Sequence, residues 1–258
     1  MIPPGRQPRS ALLGALVFIL LSACTAQQYP DDSSTRPAQQ VASQKEITIA
    51  LLGATGMVGE FFLQEALVQG YQIKALARTP QKLDAYRGQI EIIAGDARDR
   101  AALESLLEGS DVIVSALGPV RADGDAALGL NTAASRHIVQ LMPKYNIERY
   151  IAVSGAAVKV PGDKRNSTKK WLERMISLSL ADTLRDKQAE YELLSTSSVG
   201  WTLIRCPIIR AQAFEQAPLA SIESPSSFTL RAGELARFIL EEIENKKYVD
   251  QAPFLNSQ

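Results

Sequence analysis

Cysteine, histidine and excess charge are all scarce in this 258-residue sequence, and each scarcity removes a class of protein. Two cysteines, Cys24 and Cys206, cannot build a disulfide framework. With one histidine, His137, no Cys/His cluster and no Asp/Glu motif at ligand spacing, no metal site is expected. Lys and Arg total 28 against 28 Asp and Glu, so the basic face that nucleic acid requires is missing. The apolar run Ala11 to Leu21, about 11 residues, is too short for the roughly 20 that a spanning helix needs. No Gly-Lys-Ser/Thr closes a glycine-rich turn, which excludes a P-loop. Ala152 stands two residues before Ser154 where a nucleophile elbow would have glycine, and no internal repeat is present.

What is there begins with that apolar run. Arg6 and Arg9 precede it without an acid, so residues 1–23 read as a signal peptide, with an apolar leader on a misassigned start codon as the alternative. Leu21-Ser22-Ala23-Cys24 resembles the lipobox of bacterial lipoproteins, in which cleavage precedes the cysteine and its thiol receives a diacylglyceryl group. The resemblance implies lipidation at Cys24 and an envelope location. With Thr25 rather than Asp next, it implies the outer membrane facing the periplasm in a Gram-negative cell. Residues 24–45 are rich in Gln, Ser, Pro and Asp and should form a flexible tether. Residues 46–258 suffice for one α/β domain.

Within that domain, apolar runs at Ile47 to Leu52, Gln72 to Ala77, Ile90 to Ile93, Val112 to Ala116, Tyr150 to Ser154 and Trp201 to Arg205 read as strands. Helical patterns at Met57 to Gln69, Ala101 to Glu108, Leu130 to Tyr145, Lys169 to Leu180, Lys187 to Ser195 and Gly233 to Ile243 alternate with them, with Gly109 and Gly200 at expected helix ends. Near-continuous apolar strands alternating with helices predict a Rossmann-like, doubly wound parallel sheet. Arg210 to Thr229 has no sustained period and reads as a surface loop or the cover of a pocket at the carboxyl end of the sheet.

Gly53-Ala54-Thr55-Gly56-Met57-Val58-Gly59 falls between the first strand and the first helix, the context in which such glycines bind a dinucleotide. The first glycine permits the turn, the second lets the backbone approach a pyrophosphate, and the third lets the helix pack on the strand. The N–H groups of the helix start, around Thr55, Met57 and Val58, face the phosphates. After the second strand, Ala77-Arg78-Thr79 offers a guanidinium where an NAD site would have an acid. NADP is therefore expected in preference to NAD, with a solvated arginine as the bland alternative.

These residues, with Gly95-Asp96, Ser115 to Gly118, Ser154-Gly155, Asp186-Lys187, Trp201-Thr202 and Arg205-Cys206-Pro207, resemble the atypical short-chain dehydrogenases of the NmrA-like, biliverdin-IXβ-reductase-like group. The resemblance covers about residues 46–258 and implies a single NAD(P)-binding domain. It places Asp96 and Ala97 near the adenine, Ala116, Leu117 and Gly118 along the cofactor path, and Ser154 facing the nicotinamide. Lys187 looks like the family's catalytic lysine, but its tyrosine partner four residues earlier is Thr183, too weak an acid to exchange a proton with substrate. Tyr191 lies one turn the other way, and Ile208 stands where part of the group carries histidine. His137 and Cys206 read as packing residues.

Three functional readings follow. The first is an NADPH-dependent oxidoreductase acting on a small-molecule acceptor such as a flavin or quinone, with Ser154 and Lys187 as its catalytic pair. In the second, a non-catalytic module, bound NADP alters a contact with a protein partner. The third is an envelope scaffold that has lost its cofactor.

Overall fold

The computed structural model describes residues 45–118, 128–164 and 181–258. The signal segment, Cys24, the tether up to residue 44 and the helical pattern at 169–180 lie outside the described residues. The strands are β1 (Thr48–Leu52), β2 (Gln72–Ala77), β3 (Glu91–Ala94), β4 (Val112–Ser115), β5 (Arg149–Gly155), β6 (Gly200–Cys206), β7 (Ile208–Arg210), β8 (Leu219–Ser221), β9 (Thr229–Arg231) and β10 (Phe254–Asn256). The principal sheet runs β3-β2-β1-β4-β5-β6-β10-β8, parallel except where β8 meets β10. β1, β4 and β6 bury nearly every residue because helices cover both faces, which is why they read as unbroken apolar runs.

Helices α1 (Met57–Val68) and α5 (Ala232–Asn245) cover one face, joining Phe62, Leu63, Leu235 and Ile239 to Ile49 and Leu51 of β1. On the other face α2 (Arg100–Leu107), α3 (Leu130–Leu141) and α4 (Ala181–Ser195) bring Leu103, Ile138 and Leu194 against Leu52, Ala152 and Leu203. Each such buried aliphatic side chain contributes about 1.5–3 kcal/mol. The expected doubly wound sheet is therefore present, and its chain reverses direction of winding between β1 and β4, where ligands bind in this architecture.

Several local expectations change. The pattern from Leu130 to Tyr145 does not form one α-helix. It tightens to a 3₁₀ turn at Met142–Tyr145, because Pro143 has no N–H for the next helical bond. Gly200 opens β6 instead of ending a helix; a Cβ there would lie 2.8 Å from the Glu148 carbonyl oxygen. Arg210 to Thr229 is only partly a loop. It carries β8 onto the sheet edge and leads into β9, which pairs with β7 in a separate two-stranded sheet. Lys45, expected in the tether, is already folded: its N–H donates to the Gly70 carbonyl at 2.8 Å, and its ammonium bonds Tyr71 and Glu244.

The start of α3 depends on a distant residue. Gly129, at its N-cap, supplies no side-chain cap, so the first N–H groups need another acceptor. Asp186 of α4 provides it, accepting from the N–H groups of Asn131 (2.9 Å) and Thr132 (2.9 Å), the Asn131 amide (2.8 Å) and the Thr132 hydroxyl (2.6 Å). Burial alone would raise the Asp186 carboxyl, but the bonds from Thr132 and Asn131 outweigh it and hold the group below its ordinary range. A depressed carboxylate adds stability that is complete above the unfolded-state value, about pH 4, and is lost as pH falls through the folded-state value. Asp186→Asn should therefore lower the urea midpoint at pH 7 by an amount worth about 1–3 kcal/mol, and flatten the decline of stability below pH 4 that the wild-type protein shows.

Candidate cofactor site

At the winding reversal the end of β1 meets the end of β4, and the glycines of the turn are placed by that meeting. Gly53 follows Leu52 with φ +82°, and a Cβ there would lie 2.6 Å from the Ala116 carbonyl oxygen. Gly59 lies in the first turn of α1, where a Cβ would come within 2.1 Å of the Gly53 carbonyl oxygen. Both positions must be glycine for the turn to close and the helix to approach. Gly56 differs. Its φ is −90°, and the nearest atom to an added Cβ is the Gly53 oxygen at 3.4 Å, an ordinary contact. Among the described residues nothing demands glycine there, so the space above it fits the close approach of a ligand.

Gly56 is also the N-cap of α1 and supplies no side-chain bond to the helix start. The N–H groups of Met57 and Val58 therefore have no intrahelical acceptor and carry the positive end of the helix dipole. Thr55, Gly56 and Met57 are exposed beside them. Strands β1 and β2 pair Leu52 with Leu76, which sets Ala77 beside Gly53 and Arg78 one residue further, exposed at the same end. Lys82, exposed in the following 3₁₀ turn (Pro80–Tyr86), adds a second cation that sequence reading had not singled out.

The next strand ends complete the row. Gly95 N–H bonds the Ala77 carbonyl (3.1 Å), so the turn after β3 lies against the end of β2. Asp96 is half-buried in that turn, with one carboxylate oxygen accepting from Arg98 N–H at 2.8 Å, and Ala97 is buried behind it. Ala116 donates to the Leu52 carbonyl (2.9 Å), which fixes the start of the segment running through half-buried Leu117 to exposed Gly118. Gly53, Arg78, Asp96 and Leu117 thus follow the carboxyl ends of adjacent strands, with Gly56 and Gly59 in the helix start beside them.

Ser154 and Lys187 occupy the next strand and the helix over it. Ser154 is buried, and its Oγ has no hydrogen-bond partner among the described residues. Lys187 is buried as well, and its ammonium is fully engaged, donating to Asn131 Oδ1 (2.7 Å), the Val153 carbonyl (2.7 Å) and Glu190 Oε2 (3.0 Å). An ammonium has three protons to donate, and all three are used. Through Val153 it fixes the backbone immediately before Ser154. Glu190 Oε1 accepts from Ser135, which also bonds the Tyr150 hydroxyl at 2.8 Å. Burial pushes the Tyr150 phenol far above its ordinary value. Asn131, Ser135 and Glu190 were missed in the sequence, where nothing marks them out.

Thr183, Tyr191, His137 and Cys206 take no part in the hydrogen bonds just described. Thr183 sits half-buried near the start of α4, and Tyr191 packs edge-to-face on Trp201 with ring centres 6.0 Å apart. His137 is half-buried on α3. Cys206 is buried at the end of β6, and burial pushes its thiol up, which keeps it protonated.

A glycine-lined helix start facing the reversal point of a doubly wound sheet defines the class of dinucleotide-binding proteins. The chain belongs to the family described as NAD(P)H-binding, which it matches over residues 53–246. In fold it is similar to ChuY, an anaerobillin reductase from Escherichia coli O157:H7, at 19% identity and TM-score 0.68, covering 81% of this chain and 96% of that one. It is similar in the same way to a protein from Lactobacillus casei, at 22% identity and TM-score 0.68, covering 82% and 99%. A divinyl chlorophyllide a 8-vinyl-reductase of Arabidopsis thaliana is 22% identical over 141 residues, 50% of this chain and 34% of that one. The chain spans less than half the length of the curated relatives it matches.

The glycines separate by experiment. Gly56→Ala should keep its unfolding midpoint within about 1 kcal/mol of wild type while losing nicotinamide-dinucleotide affinity in calorimetry. Gly59→Ala should destabilise by about 1–3 kcal/mol or more, because a backbone carbonyl must move. For the buried pair, Lys187→Met should cost about 3–5 kcal/mol by stranding the Glu190 carboxylate, and Lys187→Met with Glu190→Leu should recover most of it in chemical denaturation.

Proposed function

We propose that the protein is an NADPH-dependent reductase of a flavin, quinone or similar conjugated small molecule, held at the bacterial envelope by a lipid on Cys24. The observation that carries the cofactor half is the free space above Gly56 at a helix start whose first N–H groups lack acceptors. Arg78, with Lys82 one turn on, supports the phosphate of NADP over the ribose hydroxyls of NAD. Asp96 would lie toward the adenine and Leu117-Gly118 along the path to the nicotinamide.

When bound, the reduced nicotinamide supplies hydride. The chain's own residues would then position the acceptor. Ser154 has a hydroxyl with no partner among the described residues, and can donate to an acceptor carbonyl or orient the carboxamide. Lys187 acts through Val153, holding the Ser154 backbone, and has no free proton donor for a substrate. Thr183 cannot replace the absent tyrosine, so the proton that completes reduction comes from solvent.

One observation favours a second reading. The complete internal use of Lys187 also suits a non-catalytic module in which NADP occupancy controls a protein contact. The two part on turnover. The purified protein mixed with NADPH and a panel of flavins and quinones should show acceptor-dependent loss of the reduced-cofactor absorbance. Tight NADPH binding with no such loss would support the module instead. In either case Arg78→Ala should weaken NADP binding about tenfold or more and NAD binding little, measured by calorimetry.

A further inference from the structure

The flank of α4 that faces away from the cofactor crevice borders a second cavity of about 770 Å³, inside the range of about 300–1,000 Å³ usual for small-molecule sites. It is lined by Tyr191 of α4, Trp201 and Arg205 of β6, Ile222 and Glu223 after β8, and Asp250 before β10. Arg78, Asp96, Leu117, Ser154, Lys187 and the glycines of the first turn are not among its lining residues. The cavity follows β6 from Trp201 to Arg205, so β5 stands between it and the winding reversal, and its far end reaches the amino end of the sheet.

The wall is aromatic and apolar. Tyr191 is half-buried and meets Trp201 edge-to-face, an arrangement that holds its ring in place, and Ile222 is 54% exposed. The charges on the lining do not balance. Arg205 is fully buried and forks onto Asp163, at 2.8 Å to each oxygen. At the other end Arg149 is taken by Glu242 at 2.8 Å, and the Lys247 ammonium lies over the Tyr248 ring. Asp250 accepts from the Trp201 N–H at 3.4 Å and has no ion-pair partner among the described residues. Glu223 pairs with Lys164 at 2.7 Å, but both side chains are exposed, so that pair is weak and yields to a better-placed cation.

We propose that this cavity is a binding site for a small organic cation, whose apolar body lies against Tyr191, Trp201 and Ile222 and whose ammonium group is held by Asp250 together with Glu223. A carboxylate supplies the charge and an aromatic face adds its quadrupole, the combination that distinguishes a cation from its neutral isostere. An anion would be repelled by Asp250 and Glu223, and a neutral ligand would leave Asp250 without a counter-charge. The site stands independently of the reductase reading, because no residue of the crevice takes part in it. Asp250 has φ +57°, a conformation that Asn adopts as readily as Asp, so its charge can be removed without disturbing the chain.

The test titrates the full chain with phenethylamine, phenethyl alcohol and phenylacetate, which share a ring and differ in charge, with binding read by calorimetry and ligand-observed NMR. Phenethylamine should bind about tenfold more tightly than the alcohol, and phenylacetate more weakly than either. Added salt should shrink the advantage of the amine and leave the alcohol unchanged. Asp250→Asn combined with Glu223→Gln should abolish that advantage while the thermal midpoint and the alcohol affinity stay at their wild-type values. Tyr191→Leu should weaken amine and alcohol together, by about fivefold. Equal affinity of amine and alcohol for the wild-type chain, or an amine preference that survives the double variant, would overturn the proposal. Loss of amine binding when NADP is added would place the amine in the crevice and overturn it equally, whereas binding unchanged by NADP sustains a separate site.

Discussion

The contact between the backbone of Gly59 and the carbonyl of Gly53 is the constraint from which the rest of the site follows. A single methyl group at Gly59 would sit 2.1 Å from that oxygen, so the first turn of α1 lies as close to the end of β1 as a polypeptide allows. The closeness turns the helix start over the ends of β1 and β4, and the chain's reversal of winding between those strands leaves the space there open. It also seats α1 where Phe62 and Leu63 reach the sheet and where α5 can pack beside it. Anion-binding character is therefore a by-product of packing: the same close approach that closes the core exposes unpaired N–H groups to the crevice.

A second constraint holds the end of β5 and is made of charge instead of backbone. The buried stripe of α4 is Asp186, Lys187, Glu190 and Leu194, three ionisable residues in four. Asp186 closes the start of α3, Lys187 spans from α3 to the backbone of β5, and Glu190 links Lys187 to Ser135 and so to Tyr150. Buried ion pairs of this kind do little for net stability compared with apolar packing, but losing one partner is costly. Their effect here is geometric, because they fix the end of β5 and hence Ser154 relative to the helices.

The two halves were unequally legible in the sequence. The glycine turn, the six principal strands and the doubly wound class of the sheet could be read because each rests on a local rule: a continuous apolar run, a turn that needs positive φ, a helix period. What was missed depends on distant partners. Strands β8 and β10 have three residues each and exist because β10 pairs with β6 on one side and with β8 on the other, a relation no short window contains. The sequence does not show that the charges of α4 are buried, since only Asn131, Ser135 and the Val153 carbonyl reveal why they are inside. Lys187 was singled out by resemblance, and the bonds it donates to Asn131, the Val153 carbonyl and Glu190 could not be seen in the sequence. The helix ending near Tyr145 was misjudged at Pro143, a local signal that apolar spacing outweighed.

The chemistry of proton supply joins these observations. A reductase that moves hydride onto an isolated ketone creates an alkoxide, which needs an acid in contact to be formed at a useful rate. Tyr150 and Cys206 are buried, and burial raises both, so neither gives up a proton near neutral pH. The Lys187 protons are tied into the brace, and Thr183 is no acid of the required strength. Ser154 can stabilise a developing negative charge by hydrogen bonding without transferring its proton. An acceptor suited to such a site is one whose reduced anion is stable by delocalisation until solvent protonates it, which a quinone or flavin satisfies and a simple aldehyde does not. The absence of the tyrosine therefore bears on the choice of acceptor as much as on the presence of catalysis.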